Sequence, residues 1–239
     1  MKTLILAGGL GTRLRPFTFT IPKPLLPIGE KSILELLIEK LRVQGFTDII
    51  LSVGYKANMI EAYFGDGKRF GVDISYVHEE ERLGTAGPIW LAKKLLFKES
   101  DFLLMNGDIY TDISFNKLVE FHLETSAVLT VAIRKHFYQS PYGVIGMDID
   151  SRVIKNIVEK PTQFSLINAG IYVVNTGILH MIYSSSVSHV GMTGLIEMLI
   201  ERGSRVVGYV FSNVWYAIDD LKNMDDLNKL DNLNKLEIN

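Results

Sequence analysis

The amino-terminal stretch of the chain joins an apolar run directly to a glycine-rich loop, and residues 3–16 read Thr3-Leu4-Ile5-Leu6-Ala7-Gly8-Gly9-Leu10-Gly11-Thr12-Arg13-Leu14-Arg15-Pro16. The run Thr3–Ala7 predicts a buried strand that ends at the first glycines. Glycine permits positive φ and a close approach of the backbone to a ligand, so successive N–H groups of this loop can hold phosphate oxygens. Arg13 adds a fixed positive charge there. We therefore predict a phosphate-binding loop after the first strand.

Other interpretations of this loop fail at specific residues. A dinucleotide-binding loop, as in nicotinamide-dependent oxidoreductases, needs a third glycine where Leu14 stands. A P-loop ends in Gly-Lys-Ser/Thr, which Gly11-Thr12-Arg13 does not supply. A plain glycine turn would not require Thr12 and two arginines beside three glycines. The pattern favours a nucleotide-binding fold of another kind.

The bulk composition excludes several classes of function. The chain has 239 residues, of which 47% are hydrophobic and 22% charged, with a formal net charge of −2. Such a near-neutral chain is not built to bind DNA non-specifically, so we expect no nucleic-acid partner. It has no cysteine, which excludes disulfides, thiolate metal sites and a cysteine nucleophile and fits a reducing cytoplasm. No apolar stretch approaches the roughly 20 residues that span a bilayer, and the first apolar run is too short for a signal peptide, so we expect a cytoplasmic protein without a membrane partner.

Strand-like and helix-like patterns alternate over the first 135 residues. This alternation predicts βαβ units and an α/β fold, with a Rossmann-like mixed, mostly parallel sheet and helices on both faces. The predicted strands are Thr3–Ala7, Asp48–Val53, Asp73–His78, Phe102–Met105 and Ala127–Arg134, and the helices Ser32–Gln44, Ala57–Phe64, Ala86–Leu96 and Phe115–Glu124. Ligands in such sheets bind beyond the carboxyl ends of the strands.

Shorter elements are predicted in the second half of the chain, without a linker that would separate two domains. They are strands at Val144–Met147, Val153–Val158, Gly170–Val174 and Arg205–Phe211, and a helix at Gly194–Arg202. From Met224 onward, leucines at a three-residue spacing predict an amphipathic helix. It either packs on its own domain or forms a homo-oligomer contact. We predict a single domain over residues 1–239.

A second motif follows the glycine-rich loop. Residues 21–28 place Lys23 between Pro22 and Pro24, which stiffen the chain on both sides of it. A lysine held on a stiff loop beside a phosphate site would act as an electrostatic clamp. The alternative is a solvated lysine in a proline turn.

The two motifs together resemble the sugar-1-phosphate nucleotidylyltransferase family, and similar segments follow in the order that the family has. These segments are Gly54-Tyr55-Lys56, Leu83-Gly84-Thr85-Ala86-Gly87, Asn106-Gly107-Asp108, Glu159-Lys160-Pro161 and Asn168-Ala169-Gly170-Ile171-Tyr172. The resemblance implies a GT-A-like nucleotidyltransferase fold. It also implies a nucleotide-binding half, residues 1–135, and an acceptor-binding half with the C-terminal helix, residues 136–239.

The resemblance further implies a role for individual residues. Arg13 and Lys23 match the catalytic cations, and Asp108 matches a ligand of Mg²⁺. The nucleotide would be bound by Leu6, Ala7, Gly8, Gly9, Gly11, Thr12, Gly84 and Thr85, and the acceptor by Gly143, Glu159, Lys160 and Asn168. Asp108 follows a buried strand, where an α/β sheet presents its chemistry, and Mg²⁺ takes one or two carboxylates beside substrate phosphates.

The sequence departs from the family at its last motif. A gapless match puts Ala217 where a second metal-binding aspartate is usual, and Asp219 lies close enough to replace it. The segment from Trp215 to Asn223 has the spacing of the cytidylyltransferase branch. We therefore expect Asp219 as the second Mg²⁺ ligand and CTP as the favoured nucleotide, although Leu83–Gly87 looks more like the guanylyl- and uridylyltransferases.

The expected reaction is attack of an acceptor phosphate oxygen on the α-phosphorus of a nucleoside triphosphate, with release of pyrophosphate. The expected partners are thus the triphosphate and a phosphorylated small molecule, with a sugar phosphate as the favoured class. A hexose, a heptose and a non-sugar acceptor all stay open. Arg13, Lys23 and Asp108 favour an enzyme over a non-catalytic regulator that binds nucleotide sugars, whereas Ala217 favours the regulator.

Overall fold

The computed structural model describes residues 1–81, 83–184 and 190–236, with side chains for all of these except 182–184 and 230–236. The strands are β1 (Thr3–Leu6), β2 (Pro27–Ile28), β3 (Lys31–Ser32), β4 (Asp48–Val53), β5 (Asp73–His78), β6 (Asp101–Asn106), β7 (Ile109–Thr111), β8 (Leu129–Gln139), β9 (Val144–Met147), β10 (Ile154–Val158), β11 (Thr162–Asn175), β12 (Val206–Phe211) and β13 (Trp215–Ala217). The helices are α1 (Ile33–Val43), α2 (Ala57–Phe64), α3 (Gly87–Leu91), α4 (Lys93–Leu96), α5 (Phe115–Thr125), α6 (Ile178–Ser184), α7 (Met192–Glu201) and α8 (Leu221–Leu236).

Within this part of the chain, seven strands form one sheet in the order β12-β8-β11-β6-β1-β4-β5. The strands β5, β4, β1 and β6 are parallel, β11 runs antiparallel to both of its neighbours, and β12 is parallel to β8. The predicted mixed, mostly parallel sheet is confirmed. Strands from both halves of the chain share this sheet.

Helices cover both faces of the sheet. One core contains apolar side chains of α1, α2 and α5, and the other contains those of α3, α4, α6 and α7. The central strand β1 contributes Ile5 to the first core and Leu4 to the second, as expected of a parallel strand that is buried on both faces. Ser32 caps α1 by accepting a hydrogen bond from Glu35 N at 3.1 Å, as its position before the apolar run predicts.

Some elements have a different extent from the one that the sequence predicts. The helix predicted over Ala86–Leu96 is interrupted at Ala92, whose ψ of −3° departs from the helical value. The strand predicted to end at Arg134 continues to Gln139, and the strand predicted to begin at Gly170 begins at Thr162. These extensions pair with each other, Thr162 opposite Gln139. Their residues are mostly exposed, including the apolar Phe137 and Phe164, so no buried face marks them as strands.

These paired extensions form a ribbon that leaves the sheet, and β9 and β10 form a hairpin at its end. We call residues 135–167 the arm. The last pair between β8 and β12 joins Arg134 to Phe211, and β11 reaches β6 only at Ile171, opposite Met105. The arm therefore projects beyond the carboxyl end of β6.

The C-terminal helix α8 packs on its own chain through its described side chains. Leu227 is buried against a small core that includes Leu14, Leu26 and Ile218. Asn228 Oδ1 accepts a hydrogen bond from Gly29 N at 2.8 Å. Packing on its own domain was one of the two predicted roles; Leu230, Leu233 and Leu236 lie outside the described side chains. In the described ranges, no helix has the length and apolar character needed to cross a membrane.

Candidate active site

The glycine-rich loop after β1 packs closely against the loops that follow β4 and β5. Tyr55 N donates a hydrogen bond to Gly8 O at 3.3 Å. A Cβ atom at Gly8 would lie 2.6 Å from Glu79 Oε1 and 3.3 Å from Gly54 N, so no larger residue fits there without displacement. The three loops meet at the carboxyl edge of the sheet, where the sequence predicted the ligand site.

Gly11 sets the course of the loop toward Lys23. Its φ of 59° is left-handed, and it opens the 3₁₀ turn Thr12–Leu14. The Thr18 hydroxyl donates to Gly11 O at 2.9 Å. A Cβ atom at Gly11 would lie 3.0 Å from Lys23 Cβ, so the glycine-rich loop and the lysine segment are in direct contact.

Lys23 connects two carboxylates that are 111 residues apart in sequence. Its Nζ lies 2.5 Å from Asp108 Oδ2 and 2.8 Å from Asp219 Oδ1, although only 8% of the residue is exposed. Arg13 Nη1 lies 2.8 Å from Asp219 Oδ2. We call Arg13, Lys23, Asp108 and Asp219 the charged cluster. The solvated lysine considered from the sequence is thus wrong, because Lys23 is buried and paired.

Two short strands that the sequence did not predict hold the two aspartates together. Asp108 follows β6 after Gly107, whose N–H donates to Leu6 O at 2.8 Å. β13 pairs with β7 with Ala217 opposite Ile109, and Ile218 N donates to Asp108 O at 2.9 Å. Asp219 is therefore delivered beside Asp108, while Ala217 supplies only a methyl group within the ladder.

The inward packing of this segment fixes its position. Ile218 is fully buried, and Trp215 Nε1 donates to Ala169 O at 2.9 Å. Burial favours a higher pKa for Asp219, but the hydrogen bond and charge of Lys23, together with the charge of Arg13, outweigh it and hold the pKa below its ordinary value. The carboxylate therefore stays ionised at neutral pH.

The two carboxylates of the charged cluster fit a magnesium ion that would also bind phosphates of the substrate. Oxygens of Asp108 and Asp219 converge on one ammonium group, so they can converge on another cation. Among the described residues, no three His, Cys, Asp or Glu side chains form a group that could hold a metal by themselves. Mg²⁺ commonly takes one or two carboxylates and completes its shell with phosphates and water.

A cavity of about 420 Å³ lies between the glycine-rich loop and the Gly84–Thr85 turn. It is lined by Leu6, Gly8, Gly9, Leu10, Gly11, Thr12, Glu79, Gly84, Thr85, Pro88, Asn106 and Asp108. This set contains most of the residues predicted to bind nucleotide; Ala7 is buried beneath the loop. Gly84 has φ of 71°, and a Cβ atom there would lie 2.6 Å from Val190 O. Thr85 Oγ1 accepts a hydrogen bond from Met192 N at 2.7 Å, which fixes this turn against α7.

Glu79 also lines the cavity, although it is not among the site residues predicted from the sequence. Its carboxylate accepts a hydrogen bond from the Ser52 hydroxyl at 2.7 Å. Burial raises the pKa of Glu79, and the Ser52 hydrogen bond works in the opposite direction. Its position directly after β5, on the edge of the sheet where ligands are expected, could have identified it from the sequence.

The predicted acceptor residues separate into two places. Asn168 lies near the cavity: its Nδ2 donates to the Tyr172 hydroxyl at 2.8 Å and its Oδ1 accepts from Gly170 N at 2.9 Å. A Cβ atom at Gly170 would lie 2.6 Å from Asn106 Nδ2, so this segment touches the cavity wall.

Gly143, Glu159 and Lys160 lie together on the arm instead. A Cβ atom at Gly143 would lie 2.9 Å from Glu159 Oε2, and Lys160 O accepts a hydrogen bond from Gln139 Nε2 at 3.1 Å. Lys160 has φ of 46°, a strained conformation for a side-chain residue and one that often marks a functional position. The stretch of β11 from Thr162 to Asn168 spans roughly 20 Å at about 3.3 Å per residue. The trio is therefore attached to the sheet only through the arm, and its position relative to the charged cluster follows the course of the arm.

Comparison with known proteins identifies the family. Residues 2–232 match the nucleotidyl transferase family. The chain belongs to this family. The mannose-1-phosphate guanyltransferase of Yarrowia lipolytica is 42% identical over 186 residues, which cover 76% of this chain and 51% of the relative. The mannose-1-phosphate guanylyltransferase catalytic subunit beta of Xenopus tropicalis is 41% identical, with 76% and 52% covered. The chain spans about half the length of the curated relatives it matches.

Solved structures resemble this chain over nearly its whole length. HddC from Yersinia pseudotuberculosis aligns with a TM-score of 0.75 and 28% identity, covering 95% of this chain and 98% of that chain. The same protein complexed with GMP-PN aligns with a TM-score of 0.74. The predicted family is thus confirmed. The preference for CTP finds no support in these relatives, because those named by activity are guanylyltransferases.

Proposed function

We propose that this protein transfers GMP from GTP to a sugar 1-phosphate and releases pyrophosphate. The observation that carries the proposal is the charged cluster at the edge of the cavity behind the glycine-rich loop. The guanylyltransferase relatives and the GMP-PN complex of HddC support GTP as the nucleotide. The names of the relatives favour mannose 1-phosphate as the acceptor.

Binding of the triphosphate is assigned to the two turns that line the cavity. Backbone N–H groups of the loop from Gly8 to Thr12 would hold phosphate oxygens, since glycines let a ligand approach the main chain. The Gly84–Thr85 turn faces the other side of the cavity and would contact the base.

In the proposed reaction, an acceptor phosphate oxygen attacks the α-phosphorus, a new P–O bond forms, and the bond to the β-phosphate oxygen breaks. The acceptor phosphate is already ionised at neutral pH, so the step needs no strong general base. Arg13 would neutralise charge on the α-phosphate as the bond order changes, and Lys23 would bridge the nucleotide and acceptor phosphates. Arg13 suits this role because its side chain is mostly exposed at the open end of the charged cluster.

Asp108 and Asp219 would hold Mg²⁺ together with phosphate oxygens of the nucleotide. When bound, the ion supplies further neutralisation of phosphate charge. Lys23 already contacts both carboxylates, so its ammonium group is within reach of a phosphate bound beside them. The closeness of the two carboxylates favours a catalytic role over a regulator without activity.

CTP is a second candidate, supported by one observation. The segment Trp215–Asn223 keeps the spacing of the cytidylyltransferase branch, and it places Asp219 rather than residue 217 beside Asp108. The same segment is compatible with GTP, because it supplies the Asp219 carboxylate assigned to Mg²⁺, whereas the base is assigned to the Gly84–Thr85 turn.

A screen of the four nucleoside triphosphates against hexose and heptose 1-phosphates, read by pyrophosphate release, tests the proposal. We expect turnover with GTP and mannose 1-phosphate, and its loss when the divalent cation is removed. Turnover with CTP only would transfer the assignment to the second candidate. Binding of nucleotide without pyrophosphate release from any pair would contradict the enzyme and favour the regulator.

A further inference from the structure

The β9–β10 hairpin presents one face made only of large aliphatic side chains. In its antiparallel register, Ile157 is opposite Ile145 and Ile154 is opposite Met147. Opposed residues share a face, and so do residues two apart on a strand. We call Ile145, Met147, Ile154 and Ile157 the aliphatic face. All four side chains are between 48% and 66% exposed.

Two further large apolar side chains are exposed at the end of the hairpin. Ile149 is 82% exposed and Val153 is 56% exposed. Side chains of this size at such exposure each present on the order of 100 Å² of apolar surface, so the six present about 600 Å², about three quarters of the roughly 800 Å² that each partner buries in a standard interface. Apolar patches of that size on soluble proteins usually mark a contact with another molecule.

The strand pairing of the hairpin bears on its stability. In the part of the chain that the structure describes, β9 and β10 pair only with each other and form a separate two-stranded sheet. An isolated hairpin is marginally stable in water unless it packs against further structure. A surface that covers the aliphatic face would supply that packing.

Charge leaves the hairpin compatible with an identical copy of itself. Asp148 and Lys155 form an ion pair with each other, with Lys155 Nζ 2.9 Å from Asp148 Oδ2. The aliphatic face itself contains no charged side chain, so two copies of it would not repel each other. A two-fold contact places the same patch of both subunits against itself, which suits a face that is apolar throughout.

We propose that the aliphatic face is the contact through which two copies of this chain form a two-fold symmetric dimer. The dimer would be held through the arm, whereas the described side chains of α8 are engaged on their own domain. Because Gly143 directly precedes β9 and Glu159 directly follows β10, the contact would also fix the outer end of the arm in both subunits.

The first test measures the molar mass of the full chain by light scattering and sedimentation over a range of concentrations. We expect a dimer for the unaltered protein. The variant Ile157→Glu should be monomeric, because it puts a charge at the centre of the aliphatic face. The matched control Val158→Glu places the same charge on the neighbouring residue of the opposite face and should remain dimeric. Circular dichroism and melting temperature establish that both variants are folded.

The second test uses the absence of cysteine from the chain. Single variants Ile145→Cys, Met147→Cys, Ile154→Cys and Ile157→Cys each carry one thiol, so any disulfide must join two copies. At least one position nearest the two-fold axis should give a covalent dimer on oxidation, whereas Val144→Cys and Asn156→Cys on the opposite face should not. A monomeric unaltered protein, a dimeric Ile157→Glu variant, or disulfides only from the opposite face would each overturn the proposal.

Discussion

The charged cluster and the arm carry the two sets of predicted site residues, and they differ in how firmly the fold holds them. Lys23 is buried, Asp108 follows the buried strand β6, and the hydrogen bond from Ile218 N to Asp108 O holds the segment of Asp219 beside it. Glu159 and Lys160 lie on a ribbon whose residues are exposed on both sides. Regions with few buried contacts open at low free energy, whereas the core opens last. The nucleotide side of the site is therefore preformed, and the acceptor side depends on where the arm lies.

The largest expected effect concerns the preformed side. Arg13→Ala removes the cation assigned to the α-phosphate, and kcat should fall by roughly 10²- to 10³-fold, as when one oxyanion donor is lost, with little change in nucleotide affinity. Steady-state kinetics with nucleotide binding measured separately checks this. Arg15→Ala is the matched control, because the Arg15 guanidinium lies 4.9 Å from the centre of the Phe19 ring in the same loop. An unchanged kcat in Arg13→Ala would remove it from the catalytic role.

The next prediction tests the second carboxylate of the charged cluster. Asp219→Asn should raise the Mg²⁺ concentration for half-maximal rate by roughly tenfold or more, since even an outer partner of a metal ligand contributes 10- to 100-fold to metal affinity. An amide offers a hard cation a dipole in place of a charge. The measurement is activity titrated with Mg²⁺, accompanied by direct Mn²⁺ binding without substrates.

Asp220→Asn is the control for that titration. Asp220 Oδ1 accepts a hydrogen bond from Asn223 N at 2.8 Å, so it caps α8, and asparagine caps a helix about as well. Equal Mg²⁺ dependence in the two variants would leave Asp108 as the sole carboxylate ligand of the metal. Ala217 would then mark a metal ligand that this chain has lost.

The contrast between these regions also explains what the sequence could predict. Buried strands and helices follow from apolar periodicity, and β4, β5 and α2 begin and end where the sequence predicts. Predicting the charged cluster would have required two further features, the three-residue ladder β7–β13 and the burial of Lys23. A strand of three residues is too short to give a periodic signal in the sequence, and the burial of a single lysine gives none. The two hairpin strands of the arm were predicted, β9 with the bounds that the structure has, whereas the paired extensions 135–139 and 162–169 were missed because exposed strands have no buried face to mark where they begin and end.

A smaller effect is expected on the acceptor side. Lys160→Ala should raise the KM for the sugar phosphate about tenfold, the equivalent of roughly 1.4 kcal/mol, and leave the KM for the triphosphate nearly unchanged. The reason is that Lys160 is assigned to a ground-state ionic contact with the acceptor phosphate. Lys155→Ala, a lysine of the same arm paired with Asp148, is the control. A raised triphosphate KM instead would place Lys160 on the nucleotide.

The smallest expected effect is on stability, and its dependence on pH differs in sign between the two regions. Burial raises the pKa of Glu79 beside the glycine-rich loop, so the folded protein disfavours the charged form. On the arm, the hydrogen bond from Lys155 and those from Ser151 lower the pKa of Asp148 from 3.8 to about 2, so folding favours the charged form. The Asp148 contribution is present above pH 3.8 and is lost as the pH falls toward 2.

Glu79→Gln should therefore stabilise the protein at neutral pH while Asp148→Asn should not. The wild-type protein loses stability relative to Glu79→Gln as the pH rises from 4.5 through the raised pKa, and the difference is constant above it. The gain should be less than ~1 kcal/mol, or at most about 2–4 °C in melting temperature, and glutamine can still accept the Ser52 hydrogen bond. Chemical denaturation from below pH 4.5 to about 8 measures it, with Glu80→Gln as the exposed neighbouring control. If Glu79→Gln is less stable than the wild type at neutral pH, the carboxylate is held by favourable contacts, and the preformed cavity carries no cost in stability at this residue.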